Sequence, residues 1–174
     1  MAKSPVERMT AELPVTLKQT ASLIEDPPGH FSDKQKRRAA EFHRKYTGQI
    51  RSAQSQRYNA VMDDLTQRRD AIKAQVAETR KKAEAVSNAV QHGRLPGGEA
   101  REKVAEIIRE HTQLLDQLEA IEQAVEEAWQ MVSTDPADFQ EQALRRFPTA
   151  MDSLPRLSED YLNGDNLADP FRSE

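Results

Sequence analysis

The sequence predicts an all-α protein: a long antiparallel helical hairpin forming a coiled-coil arm, with a small helical head built from short N- and C-terminal helices. Three observations carry that prediction. Val104, Ile107, His111, Leu114, Leu118, Ile121, Val125, Ala128 and Val132 alternate by three and four residues without a break, the spacing of a helix packed along a coiled-coil seam. No Pro falls between residues 29 and 95, and Gly48 is the only Gly between Gly29 and Gly93. Val and Ile nowhere alternate with polar residues in period two, which argues against a sheet. A hydrophobic share of 37% beside 31% charged residues suits helices exposed on most faces better than a thick core.

Residues 1–30 are expected to form short helices closed by a Pro-rich linker. Ser4 offers an N-cap, with Pro5 at the first helical position and Glu7 three residues after the cap. Val6, Met9, Leu13, Leu17 and Ile24 follow a helical stripe, interrupted at Pro14. Asp26-Pro27-Pro28-Gly29 then ends the segment.

The hairpin and a short third helix occupy 31–147. Ser32 begins the longest helix, with Asp33 in its first turn and Gln35 at the capping-box position. Its apolar stripe runs through Phe42, Tyr46, Ile50, Ala53, Tyr58, Val61, Leu65, Ile72, Val76, Ala83, Val86 and Val90. Between Val61 and Ile72 the spacing shifts by an extra turn, with Arg68 and Arg69 near the seam. The helix should end near Gln91, because His92-Gly93-Arg94-Leu95-Pro96-Gly97-Gly98 is a turn by composition. The heptad helix follows and should fold back on the first. Asp135 and Pro136 cap and start a third helix carrying Phe139, Ala143, Leu144 and Phe147, which Pro148 stops. Residues 148–174 form an acidic, Pro-containing tail, with one helical turn between Ser158 and Gly164.

The two hairpin helices are unequal. Folding about Pro96 brings Val132 near Val61 and leaves 32–58, ~40 Å of helix, without a partner from the heptad helix. The aromatic residues all fall at 31–58 or at 129–171, which predicts that the third helix, the tail and the N-terminal helices pack on 31–60. A homodimer would cover the same stripe, and the sequence leaves that alternative open. Residues 31–60 carry a net charge of +6 and residues 135–174 a net of −5, a pairing that favours docking.

Much chemistry is excluded. The chain has no Cys, so thiolate nucleophiles, thiolate metal sites and disulfides are ruled out. Phosphate-loop, dinucleotide-loop and serine-elbow motifs are missing, and His30, His43, His92 and His111 show no metal-ligand spacing. The expectation is a protein that is not an enzyme and takes no cofactor or metal. Without a signal-peptide core or a run of ~18 apolar residues, it is expected in the cytoplasm and off the membrane.

The function expected is protein–protein interaction, as an adaptor, assembly factor or structural protein whose partner the sequence does not identify. Arg94 and Leu95 at the turn, and Tyr161, Leu162 and Phe171 in the tail, are the candidate partner contacts. For the tail residues, docking on the chain's own head is the equal alternative, and for Arg94 and Leu95 the alternative is a plain connector between the two helices. Nucleic-acid binding along the basic stretch 34–57 is the second reading. Lys34, Lys36, Arg37, Arg38, Arg44 and Lys45 would contact phosphates, unless they are a solvated face neutralised by the acidic tail. His111, on the seam, reads as a polar residue that fixes helix register.

Overall fold

The computed structural model describes residues 16–132, 134–167 and 171, and every regular element in them is helical. In order these are α1 (Leu17–Glu25), α2 (Asp33–Gln91), α3 (Gly97–Met131), α4 (Pro136–Arg146), α5 (Pro148–Met151) and α6 (Glu159–Leu162). The all-α hairpin expected from the sequence is what the chain forms. The expectations for Ser4, Pro5 and the Val6–Leu13 stripe lie outside the described residues.

Local chemistry sets the helix ends. Ser32 and Gln35 form the reciprocal capping box, with bonds of 2.7 and 3.3 Å between each backbone N–H and the other's side chain. α2 stops in a Schellman motif. Gly93 adopts φ +67°, its N–H donates to the Val90 carbonyl at 3.1 Å, and the Arg94 N–H donates to Ala89 at 2.8 Å. α3 begins earlier than composition suggests, at Gly97. Pro96 closes the first turn by accepting from Ala100 N–H at 3.0 Å, and the N–H groups of a first turn need no intrahelical acceptor. Asp135 caps α4 by accepting from Ala137 N–H at 2.9 Å, and Ser158 caps α6 by accepting from Tyr161 N–H at 3.2 Å.

The chain divides into two units: the described residues up to Ala60 and from Met131 onward form the terminal unit, and Val61–Gln130 the hairpin unit. In the terminal unit, Ile50, Ala53, Ala137, Leu157, Tyr161, Leu162 and Leu167 form one buried cluster, with Leu17, Phe42 and Tyr46 packed against it. The short N- and C-terminal helices therefore do pack on the first half of α2. α1 docks by its first turn, where Leu17 N–H donates to the Gly164 carbonyl at 2.8 Å. The residue of α1 that is fully buried is Thr20, its hydroxyl donating to Thr16 at 2.7 Å. Ile24, expected on the packed stripe, lies in the last turn and is exposed.

The hairpin unit is a two-helix seam. Val61, Leu65, Ile72 and Thr79 of α2 and Ala100, Leu114 and Ala128 of α3 are its buried positions. The expected seam shifts near the turn: Val104 and Val90 are exposed, while Ala100 is buried and Ala89 half-buried. Arg68, in the stretch of altered spacing, reaches back one turn to Asp64 at 3.1 Å.

Trp129 corrects a second expectation. Expected in the core with the other aromatic residues, it belongs to the hairpin unit and is 63% exposed. It follows the buried seam residue Ala128, and one step along a helix turns a side chain by about 100°.

Candidate interaction surface

The terminal unit closes on its own polar groups. Arg57, expected to extend the phosphate-tracking stretch, is only 2% exposed. Its Nε donates to Gln140 Oε1 at 3.1 Å, Nη1 to the Ala53 carbonyl at 3.0 Å and Nη2 to the Pro155 carbonyl at 2.5 Å. Gln140 in turn pairs with the Leu157 backbone, donating to its carbonyl at 2.8 Å and accepting from its N–H at 3.1 Å. Burial lowers the Arg57 pKa from its usual value, and the three neutral acceptors compensate the desolvated cation. Arg57 is thus a clamp that holds residues 155–157 against α2 and α4. It is not a phosphate contact.

Tyr161 and Leu162 belong to the same core. The Tyr161 hydroxyl donates to Gln49 Oε1 at 3.1 Å, and burial, with Tyr46 nearby, raises its pKa. Of the two readings of the tail, docking on the chain's own core is the one these two residues take. Phe171 is exposed over most of its surface, though it makes a contact. At the turn, Arg94 is exposed and Leu95 half-buried, while the Arg94 backbone serves the helix stop.

Lys34, Lys36, Arg37, Arg44, Lys45 and Arg51 are all exposed. By helical position, all of these except Lys36 project from the side of α2 opposite Ala39, Ile50 and Ala53, the buried residues of that stretch. Arg38 is half-buried and engaged. The docking of the tail therefore runs through apolar contacts and the Arg57 clamp, on the side away from this basic face.

The hairpin unit closes less completely. Inside its seam Thr79 Oγ1 lies 2.7 Å from the Val76 carbonyl and 3.1 Å from His111 Nδ1. The hydroxyl has one proton, which the shorter bond takes, so His111 Nδ1–H is the donor to Thr79. This pair anchors the register in which α2 and α3 face each other. One flank of the seam is bridged by Lys82 to Glu110 at 3.1 Å. The other flank is open: Thr79, Arg80, Ala83, Ile107, Ile108 and His111 line a shallow, mainly apolar cleft of about 270 Å³. Ile108 is 58% exposed and Leu115, seven residues on, is 45% exposed, with Val104 exposed one turn before Ile108. Scattered apolar residues are normal on surfaces, but a row of large ones beside a cleft is an interaction feature.

Sequence reasoning missed Thr79, Gln140 and the role of Arg57. Thr79 was legible in the series Leu65, Ile72, Thr79, Val86, spaced by sevens. Gln140 sits between Pro136 and Ala143 on the inward face of α4, a position that signals a buried amide. Among the described residues, no group of three or more His, Asp or Glu side chains is placed to hold a metal ion, and no helix is long and apolar enough to cross a membrane. Comparison with protein-family models, curated protein sequences and solved structures finds no match.

Proposed function

We propose that this chain is a non-catalytic, cytoplasmic interaction protein, an adaptor or assembly subunit that works through its coiled-coil hairpin. One observation carries the reading: the row Val104, Ile108, Leu115 stays 39%, 58% and 45% exposed beside an apolar cleft. Full burial of an aliphatic side chain of this size is worth about 1.5–3 kcal/mol, so a partner helix laid along the row gains substantially. The test is purification of the tagged full chain from native extract after nuclease treatment, beside a Leu115→Lys variant. A stoichiometric protein, or a second copy, held by the first and lost from the second is expected. Recovery of the bare monomer in both counts against the reading.

A second reading, binding of nucleic acid, is favoured by the exposed face of Lys34, Arg37, Arg44, Lys45 and Arg51. These residues span ~25 Å along α2, a length over which a helix can meet several phosphates. Binding of duplex or single strands would weaken steeply between ~50 and ~200 mM salt, and Arg37→Glu with Arg44→Glu would abolish it. Titration by fluorescence anisotropy showing no salt-sensitive binding removes this reading.

A further inference from the structure

Resting on the interaction reading, we infer that the occupant of the open hairpin flank is a second copy of this chain, paired about a two-fold axis parallel to the hairpin. Charge complementarity within one face identifies the mate. Arg80 and Ala83 of α2 and Ile108 of α3 line the cleft on that flank. Helical periodicity extends the α2 side to Arg69, Lys73 and Val76, and the α3 side to Leu115, Glu119, Glu122 and Glu126. The face therefore has a basic edge (Arg69, Lys73, Arg80), an acidic edge (Glu119, Glu122, Glu126) and an apolar patch. Leu115, Lys73 and the three Glu residues are exposed, and Arg69 is half-buried.

The hairpin register decides how two such faces fit. Thr79 against His111 and Lys82 against Glu110 put Arg69 level with Ile121 and Lys73 level with Gln117. Each is thus within one turn of an acidic residue on the opposite edge, Glu122 for Arg69 and Glu119 for Lys73. A two-fold axis running along the hairpin lays α2 of one copy over α3 of the other at the same level. Arg69 and Lys73 of each copy then meet Glu122 and Glu119 of its mate, while both Ile108 side chains close over the clefts. The other face-to-face two-fold, perpendicular to the helices, lays α3 on α3 in opposite directions, so that Glu119, Glu122 and Glu126 meet the α3 side of the mate and never its Arg69 and Lys73. The loss of every opposite-charge contact disfavours the second arrangement.

The face is ~30 Å long and about two helix diameters wide, or ~600 Å² per copy, somewhat below the ~800 Å² of a standard stable interface. The expected product is a reversible dimer with micromolar affinity, so the test is sedimentation equilibrium of the full chain at about 1–100 µM and low salt. A concentration-dependent approach to twice the chain mass is expected. Leu115→Lys and Ile108→Lys should each weaken it by about tenfold or more, with helical circular dichroism unchanged because both side chains are exposed. Glu119→Lys with Glu122→Lys should weaken it too, and mixing that chain with one carrying Arg69→Glu and Lys73→Glu should restore pairing. Because the protein has no Cys, register can be read directly. Chains carrying Lys73→Cys mixed with chains carrying Glu119→Cys should cross-link, and neither alone should do so comparably.

A monomer at the highest concentration overturns the inference, as does a dimer indifferent to Leu115→Lys and to the charge reversals. Efficient cross-linking of Glu119→Cys with itself overturns the two-fold assigned. A monomeric chain that nevertheless holds another protein through Leu115 overturns self-pairing and leaves the interaction reading standing.

Discussion

The terminal unit and the hairpin unit solve the same problem with different completeness. In the terminal unit, helices α1, α4 and α6 and the extended stretch before α6 bring several surfaces to one face of α2, so even a guanidinium can be buried with neutral acceptors around it. In the hairpin unit only two helices meet. Each can bury one stripe against the other, and any apolar residue a third of a turn off that stripe has nothing to cover it. Ile108 and Leu115 are in that position. The enclosed unit uses Arg57, Gln140, Tyr161 and Leu162 internally, whereas the hairpin keeps an apolar row beside its cleft, and that row is where a partner has most to cover.

The contrast is tested most severely at Gln140. Gln140→Ala removes the acceptor of Arg57 Nε and both partners of the Leu157 backbone. Buried groups left without partners cost ~1–3 kcal/mol each, so a loss of about 3–4 kcal/mol is expected, read by urea unfolding. Hydrogen exchange should place the loss in the terminal unit. Equal loosening of residues 61–130 would show that the two units do not fold independently. A smaller effect is expected at Gly164, whose φ is +74° and whose added Cβ would lie 2.8 Å from Leu17 Cδ1. Gly164→Ala should cost about 1–3 kcal/mol through backbone strain and displacement of α1, with protection lost first across Leu17–Glu25.

Much of this architecture was legible because helix ends and seams are written in local chemistry. Ser32 with Gln35, Asp135 with Pro136, and the three-four alternation through Leu114 and Ala128 each specify structure within a few residues. What was not legible depends on residues far apart in the chain. Arg57 falls on the apolar stripe, four residues from both Ala53 and Val61, and Arg51 does not, but only the arrival of Gln140 and Pro155 shows how a buried guanidinium is satisfied there. The same holds for Trp129, whose aromatic character suggested a core that its helical angle denies it. Opposite net charges on 31–60 and 135–174 pointed to docking, but not to the fact that the basic face would be left outside. The candidate surface was half visible: the heptads identified the seam, while the exposed row beside it requires knowing that only two helices meet there.

Within the hairpin the corresponding test is milder, because its internal polar contact is a single pair. Thr79→Val keeps the volume of the side chain and removes the acceptor of His111 Nδ1–H. A cost of about 1 kcal/mol is expected, confined to residues 61–130 and reported by fluorescence of Trp129, the only Trp in the chain. If Thr79→Val instead loosened the terminal unit, the division into a self-satisfied and an open region would fail.

The smallest effect separates the units by pH. Burial, with Tyr46 as a lesser cause, raises the Tyr161 pKa above its ordinary value of 10.0, so the fold favours the protonated phenol that donates to Gln49. In the unfolded chain the proton leaves at about pH 10. The stabilisation is therefore complete below that pH and is lost as pH rises from 10 toward the higher value of the folded state. Tyr161→Phe should lower stability modestly at pH 7, by the lost hydrogen bond, and should unfold with a shallower decline above pH 10. Other tyrosines and lysines titrate in the same window, so the readout is the difference between the two proteins at each pH, measured by urea unfolding. That difference should shrink as alkalinity increases, and hydrogen exchange should find it in the terminal unit alone. A constant difference across the range would mean that Tyr161 is as free to ionise in the fold as in water, and that the core around it is more open than the enclosed unit described above.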